Sequence, residues 1–164
     1  MALNAYLHLK GQKQGLIKGS VTQKGREEKI MVIAVSHEII SPRDPQSGLP
    51  TGKRMHKHFV ITKELDMSTP LLYNALVNNE NITEWELQFW APQVRAAAGA
   101  EVHNYTVKLT NASIADIKFI MPNNKNPELA KFAEYEEIAF TYQKIEWTWT
   151  KGGITASDDW EARV

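Results

Sequence analysis

The chain contains no cysteine. Disulfides, thiolate nucleophiles and cysteine-based zinc sites are therefore excluded together. It also lacks a long hydrophobic run, since no apolar stretch approaches the ~20 residues that a membrane-spanning helix needs. The opening segment MALNAYLHLKGQKQG has neither a basic n-region nor a long apolar core. We therefore expect no signal peptide and a cytoplasmic location. Net charge is missing too, with nineteen basic residues balancing nineteen acidic ones. Such a chain carries no electrostatic footprint for nucleic acid or an anionic membrane. It also repels its own copies weakly, which permits self-association.

What is present is ordinary for a soluble globular fold. Of 164 residues, 43% are hydrophobic and 23% charged, which suits a single domain over residues 1–164 with one sizeable core. Most apolar residues recur with the period of two that marks strands. Leu3, Ala5, Leu7 and Leu9 alternate with Asn4, Tyr6 and His8 until Gly11. Ile30 to Val35 is apolar at each position, the pattern of a strand covered on both faces. Phe59 begins another strand. Trp85, Leu87 and Phe89 face away from Glu84, Glu86 and Gln88. His103, Tyr105, Val107 and Leu109 repeat the pattern after a connection through Gly99, and Ala115, Ile117, Phe119 and Met121 follow. These three runs, joined by short turns, predict an antiparallel meander.

Two segments break the alternation. In DMSTPLLYNALVNN, Ser68 or Thr69 can cap a first turn and Pro70 suits its N1 position, where a missing N–H is no loss. Leu71, Leu72, Ala75 and Leu76 then share one helical face, and Asn78 and Asn79 mark a stop. Further on, Ile138, Phe140 and Tyr142 are apolar at even positions, whereas Ile145, Trp147 and Trp149 are apolar at odd ones. A regular strand cannot change faces, so the pattern predicts a bulge or sharp bend near Gln143–Lys144. Uninterrupted pairing through 140–147 would contradict it. Many short strands and one short helix argue for an antiparallel barrel or sandwich.

Candidate chemistry is thin. GLPTGKR invites comparison with a P-loop, but Gly48 is one residue too close to Gly52 and Arg54 stands where a magnesium-binding hydroxyl belongs. His56 and His58 form half of a metal site, with His8, His37 and His103 scattered elsewhere. Surface or interface histidines are the simpler reading. Asp158, Asp159 and Glu161 read as a solvated acidic tail rather than paired catalytic carboxylates. The tryptophans, Trp85, Trp90, Trp147, Trp149 and Trp160, suit core or interface packing. No constellation supports an enzyme, a cofactor or a bound metal.

One stretch stays unexplained: SPRDPQSGLPTGKRMHKHF, from Ser41 to Phe59. A connection this long inside a compact domain is functional or disordered. Pro42, Pro45 and Pro50 stiffen it, and Gly48 and Gly52 permit sharp turns. Arg43, Asp44, Lys53 and Arg54 offer both signs of charge for pairing with a partner. These features describe an interface arm.

That stretch, followed by ITKELDMSTPLLYNAL, resembles the hallmark region of the hemolysin-coregulated protein (Hcp) family, the tube component of the bacterial type VI secretion system. The N-terminal AYLHLKGQKQGLIKGSV, the YQKIEWTW strand and the final SDDW are similar to the family at matching places. One departure is His58 after Lys57, where the family often has proline. The resemblance implies a mainly β fold: a small antiparallel β-barrel with one short α-helix packed at its side and a long extended loop. It implies homohexameric rings that stack into a tube inside a sheath, propelled outward with a spike protein and secreted effectors. It also implies export from the bacterial cytoplasm without a signal peptide, with no nucleic acid partner and no membrane insertion. The loop that reaches neighbouring subunits or rings corresponds here to Ser41, Pro42, Arg43, Asp44, Pro45, Gln46, Ser47, Gly48, Leu49, Pro50, Thr51, Gly52, Lys53, Arg54, Met55 and His56. Two other readings stand beside this one. The first is a monomeric β-barrel that binds a small apolar ligand through its aromatic-rich strands. The second is a hydrolase with an unrecognised site.

Overall fold

The structure, a computed structural model, describes residues 1–92 and 101–160. The expected connection through Gly99 and the acid Glu161 lie outside the described residues. The elements run β1 (Ala5–Gly11), β2 (Gly15–Ile17), β3 (Ile30–Val32), β4 (Ala34–Ser36), β5 (Ile39–Ile40), β6 (Met55–His56) and β7 (Phe59–Glu64), then the helix α1 (Thr69–Val77). After it come β8 (Ile82–Pro92), β9 (Glu101–Thr110), β10 (Ser113–Ile120), β11 (Tyr135–Thr141), β12 (Lys144–Trp149) and β13 (Ile154–Asp159).

The strands form a seven-stranded sheet in the order β13-β12-β9-β8-β1-β2, with β3 also on β1, and a four-stranded sheet in the order β10-β11-β7-β4. β5 and β6 make a separate two-stranded ribbon. Neighbouring strands are antiparallel throughout. The barrel is therefore two sheets folded over one core, joined where the chain crosses from one to the other. β3 runs into β4 through Ile33, whose N–H donates to the Thr62 carbonyl at 2.9 Å. β9 runs into β10 past Asn111, held at φ 51°, and Ile82 donates to the Ala112 carbonyl at 2.8 Å. β11 runs into β12 through Tyr142 and Gln143, and Gln143 donates to the Thr110 carbonyl at 3.0 Å.

The last crossing is the bend that the phase change predicts. β11 pairs with β10 and β7, whereas β12 pairs with β9 and β13. Leaving one sheet for the other lets Phe140 and Ile145 both reach the core. The meander is corrected: β8 and β9 pair, but β10 leaves them for β11. Its register shifts between Ile114 and Asp116, so Ile114 is buried while Ala115, Phe119 and Met121 are exposed. The apolar run Ile30 to Val35 is corrected as well. It is two strands, buried at Ile30 and Val32 but exposed at Ile33 and Val35, because the crossing at Ile33 takes the chain to a sheet edge.

Leu7, Leu9, Leu87 and Ile138 fill the core around Trp85. Its indole meets Phe59 edge-on at 5.0 Å and Phe140 at 5.5 Å between ring centroids. These rings occupy the interior that a small apolar ligand would need, which counts against the ligand-binding reading. The helix buries Leu72 and Ala75, while Leu71, placed on the same face by spacing, is exposed. Pro70 opens α1 as expected, but Ser68 at the N-cap makes no side-chain cap bond. Its hydroxyl and N–H turn back to Asp66 instead. Beneath the first turn, Lys63 and Glu136 form a fully buried ion pair at 2.5 Å.

Candidate assembly surface

The stretch from Ser41 to His56 is an ordered hairpin arm. Its stem is the ribbon, Ile39 opposite His56 and Ile40 opposite Met55. Beyond the stem, Arg43 bridges to Pro50 and Thr51 donates to the Pro42 carbonyl at 3.0 Å. At the tip, Asp44 donates to the Leu49 carbonyl at 2.9 Å and Gly48 donates to the Asp44 carbonyl at 2.8 Å. Gly48 has φ 73°, a left-handed conformation that suits glycine.

Two charges of the arm, those of Asp44 and Arg54, are taken up within the chain, while Arg43 and Lys53 are exposed. The Asp44 carboxylate accepts from the Gln46 N–H at 3.0 Å and the Ser47 hydroxyl at 2.8 Å. The backbone donor at Gln46, with Ser47 behind it, holds this carboxyl below its usual range. Arg54 meets Asp158 in a bidentate pair, Nε to Oδ2 at 2.5 Å and Nη2 to Oδ1 at 2.8 Å, and its Nη2 also donates to the Asp159 carbonyl at 2.9 Å. Asp44 and Arg54 are thus occupied within the chain and are not the free charges expected from the sequence. The reading of Asp158 and Asp159 as a solvated tail is corrected for the same reason. β13 pairs along β12 and brings Asp158 back to the arm, while the Asp159 carboxylate accepts from Gln143 Nε2 at 3.2 Å. The bond to Arg54, with His56 beside it, holds the Asp158 carboxyl below its usual range and the guanidinium above its own.

His56 is corrected too. Its side chain is only 2% exposed, so it is no surface histidine, whereas His58 is exposed. His56 Nε2 stands 2.6 Å from Asp158 Oδ2, and its Nδ1 stands 2.7 Å from the Tyr142 hydroxyl. The same hydroxyl lies 2.7 Å from His37 Nε2. Trp160 closes the cluster, its indole N–H donating to the Tyr142 carbonyl and its ring 6.2 Å from that of His56. Burial pushes the Tyr142 hydroxyl well above its usual range. Burial, and then the facing His56, lower the proton affinity of His37. Among the described residues no group of three or more acids, histidines or cysteines is placed to hold a metal ion.

Reasoning from sequence missed His37, Tyr142, Asp158 and Trp160 as parts of one site. A signal for three of them was present. Tyr142 opens YQKIEWTW, and Asp158 and Trp160 belong to SDDW. Those two motifs and the arm, far apart in the chain, meet at the root of the arm.

The model of the family described as "Type VI secretion system effector, Hcp" matches residues 6–149. The "Major exported protein" of Pseudomonas aeruginosa is 44% identical over 173 residues, covering 100% of this chain and 99% of its own. The chain belongs to the Hcp family. A crystal structure of an Hcp protein superposes with a TM-score of 0.87 at 35% identity, covering 98% of this chain and 99% of the other. The Hcp1 protein of E. coli EAEC 042 gives 0.83 at 33% identity over 97% and 99%. Hcp is a family of secreted, structural tube proteins of type VI secretion and not of enzymes. The hydrolase reading falls with that assignment. In this Hcp chain the aromatic strands go partly to the core: Trp147 packs against it, whereas Trp149 is exposed.

Proposed function

We propose that residues 1–164 act as one domain that builds the inner tube of the type VI system as homohexameric rings stacked end to end. The rings run inside the sheath, leave the bacterial cytoplasm behind the spike protein without a signal peptide, and carry secreted effectors in their lumen. The arm from Ser41 to His56 is the joint that reaches a neighbouring subunit or ring. The observation that carries this reading is the self-contained arm. Its turns are closed and its Asp44 and Arg54 are paired at home, yet Leu49 is 65% and Met55 51% exposed. A preformed projection with apolar side chains facing outward is built to be covered, and covering it entails little loss of loop entropy. Exposed Ile33 and Val35 at the sheet crossing supply a second, different patch. A ring of repeated heterologous contacts needs two such patches. Each contact would bury roughly 800 Å² per partner.

Native mass spectrometry with negative-stain imaging tests the assembly, and rings of six are expected. A strict monomer at high concentration would overturn it. Deleting Asp44 to Lys53 tests the joint. The barrel should keep its thermal unfolding temperature while ring stacking and secretion are lost, and unchanged stacking would refute the role of the arm.

A further inference from the structure

We propose that the root of the arm is a proton latch of capacity one: the His56–Tyr142–His37 chain accepts one added proton with all its hydrogen bonds kept, and a second proton releases the arm from the barrel. The geometry carries this. His37 precedes the first leg of the ribbon and His56 ends the second, so both legs are tied to the Tyr142 hydroxyl, each at 2.7 Å. Tyr142 itself sits at the bend where β11 crosses to β12. One phenolic oxygen therefore staples both legs of the arm to a corner of the barrel.

The proton inventory follows from the partners. Arg54 keeps Asp158 a carboxylate, so His56 Nε2 must donate to it, and only Nδ1 is left to vary. With His56 neutral, Nδ1 accepts the Tyr142 proton and His37 Nε2–H donates to the Tyr142 oxygen. With one proton added, His56 Nδ1–H donates to that oxygen, the hydroxyl turns to His37 Nε2, and His37 moves its own proton to Nδ1. Each contact is kept in both states. With a second proton, both imidazolium rings donate to one oxygen and neither histidine can accept the Tyr142 proton any longer. An orphaned donor and two facing cations then act against the root together.

The surroundings do not absorb that second charge. Arg54 already neutralises Asp158 and takes the Asp159 carbonyl, and the Asp159 carboxylate accepts from Gln143 and faces Arg54. Lys57 is paired with Glu38 at 3.3 Å, and His58 lines the same cleft as His37 and His56. The Phe59 ring lies 4.9 Å from His37 and the Trp160 ring 6.2 Å from His56, and neither carries charge. The lowered proton affinity of His37 agrees with its being the last to charge. For a base depressed below its ordinary value of 6.5, the open state binds the proton more readily. The hold is therefore complete above that pH and weakens as pH falls below it.

Hydrogen exchange on the full chain from pH 8 to 5 tests the latch, with protection over residues 39–57 compared with that of β8 and β9 in the same sample. Arm protection should fall selectively below pH 6.5, by about tenfold per pH unit for one proton. His37→Gln should abolish that fall. Arm protection that tracks β8 and β9 throughout, or an unchanged fall in His37→Gln, would overturn the proposal. The latch is a property of the chain and does not rest on ring assembly, so mass by light scattering is followed at each pH. A fall at constant mass supports it, and a fall confined to samples that lose mass overturns it. If His37→Gln unfolds, shown by β8 and β9, histidine 15N NMR of the unaltered chain decides. His37 should switch from Nε2–H to Nδ1–H while neutral, and a fixed tautomer would overturn the relay.

Discussion

The buried pair beneath the helix makes unequal demands on its two partners, and that inequality can be measured. Lys63 Nζ lies 2.5 Å from Glu136 Oε1, 3.1 Å from Asp66 Oδ1 and 3.1 Å from Thr69 Oγ1. Glu136 has Thr69 as its further donor at 3.1 Å, and its Oε2 has no partner among the described residues. Lys63→Met therefore strands a carboxylate with one hydroxyl for company, and breaking a buried pair in this way costs about 3–5 kcal/mol. Glu136→Gln leaves an amide oxygen that still accepts, and Lys63 keeps Asp66 as its counter-charge, so about 1–2 kcal/mol is lost. In a chain of this size these losses correspond to roughly 10 °C and roughly 4 °C in Tm. The double variant Lys63→Met/Glu136→Leu removes both charges and should sit closer to the parent than Lys63→Met does. Urea unfolding followed by tryptophan fluorescence reads the series, at fixed protein concentration because self-association raises apparent stability. Equal losses for the two single variants, or a double variant as unstable as their sum, would refute the reasoning.

Three further outcomes are expected. The Asp158 carboxyl is held below its ordinary value of 3.8 chiefly by Arg54; its stabilising effect is present above that pH and fades as pH falls through the folded value. Asp158→Asn should thus be less stable than the parent at pH 7 and lose less on acidification, as urea midpoints at both pH values will read. At Gly19 an added Cβ would stand 2.3 Å from the Lys29 carbonyl oxygen and 2.6 Å from Ile30 Cα, which are backbone atoms that cannot turn aside. Gly19→Ala should therefore melt well below the parent, whereas Gly52→Ala, with nothing within 4 Å, should match or exceed it. Finally, Arg54→Glu should loosen the arm in hydrogen exchange, and Arg54→Lys, which keeps the charge but not the bidentate bond to Asp158, should loosen it less; an Arg54→Glu arm as protected as that of the parent would refute the role of the pair.

The features legible in the sequence were those fixed by neighbours along the chain. Pro70 and the Asn78–Asn79 stop marked α1, and the phase change between Tyr142 and Ile145 marked the crossing from β11 to β12. Periodicity could not show which sheet a strand joins. β10 alternates as cleanly as β9, yet it pairs with β11, and past a register shift beside Ala115 it exposes Ala115, Phe119 and Met121 while Ile117 still packs on the core. The same limit hid the root of the arm. Asp158 among acids reads as a solvated tail and Arg54 among bases as a charge for a partner, until β13 folds along β12 and brings the two together at 2.5 Å. Side-chain chemistry was visible throughout; the pairing was not, because it depends on sheet order.

That hidden pairing changes what the arm is. A loop whose charges were free would have to find both its shape and its partner at the moment of contact, with the entropy of ordering set against the interface. Here Arg54, His56 and Asp44 are occupied before any neighbour arrives, so the fold itself supplies the order. The side chains left facing outward are the apolar Leu49 and Met55, whose contacts depend little on ionic strength, and the cationic Arg43 and Lys53, whose contacts do depend on it. Salt acts on the root as well, through Arg54 and Asp158, so an effect of salt on assembly that survives replacement of Arg43 and Lys53 would report the hold of the arm on its own barrel rather than a charge shared between subunits.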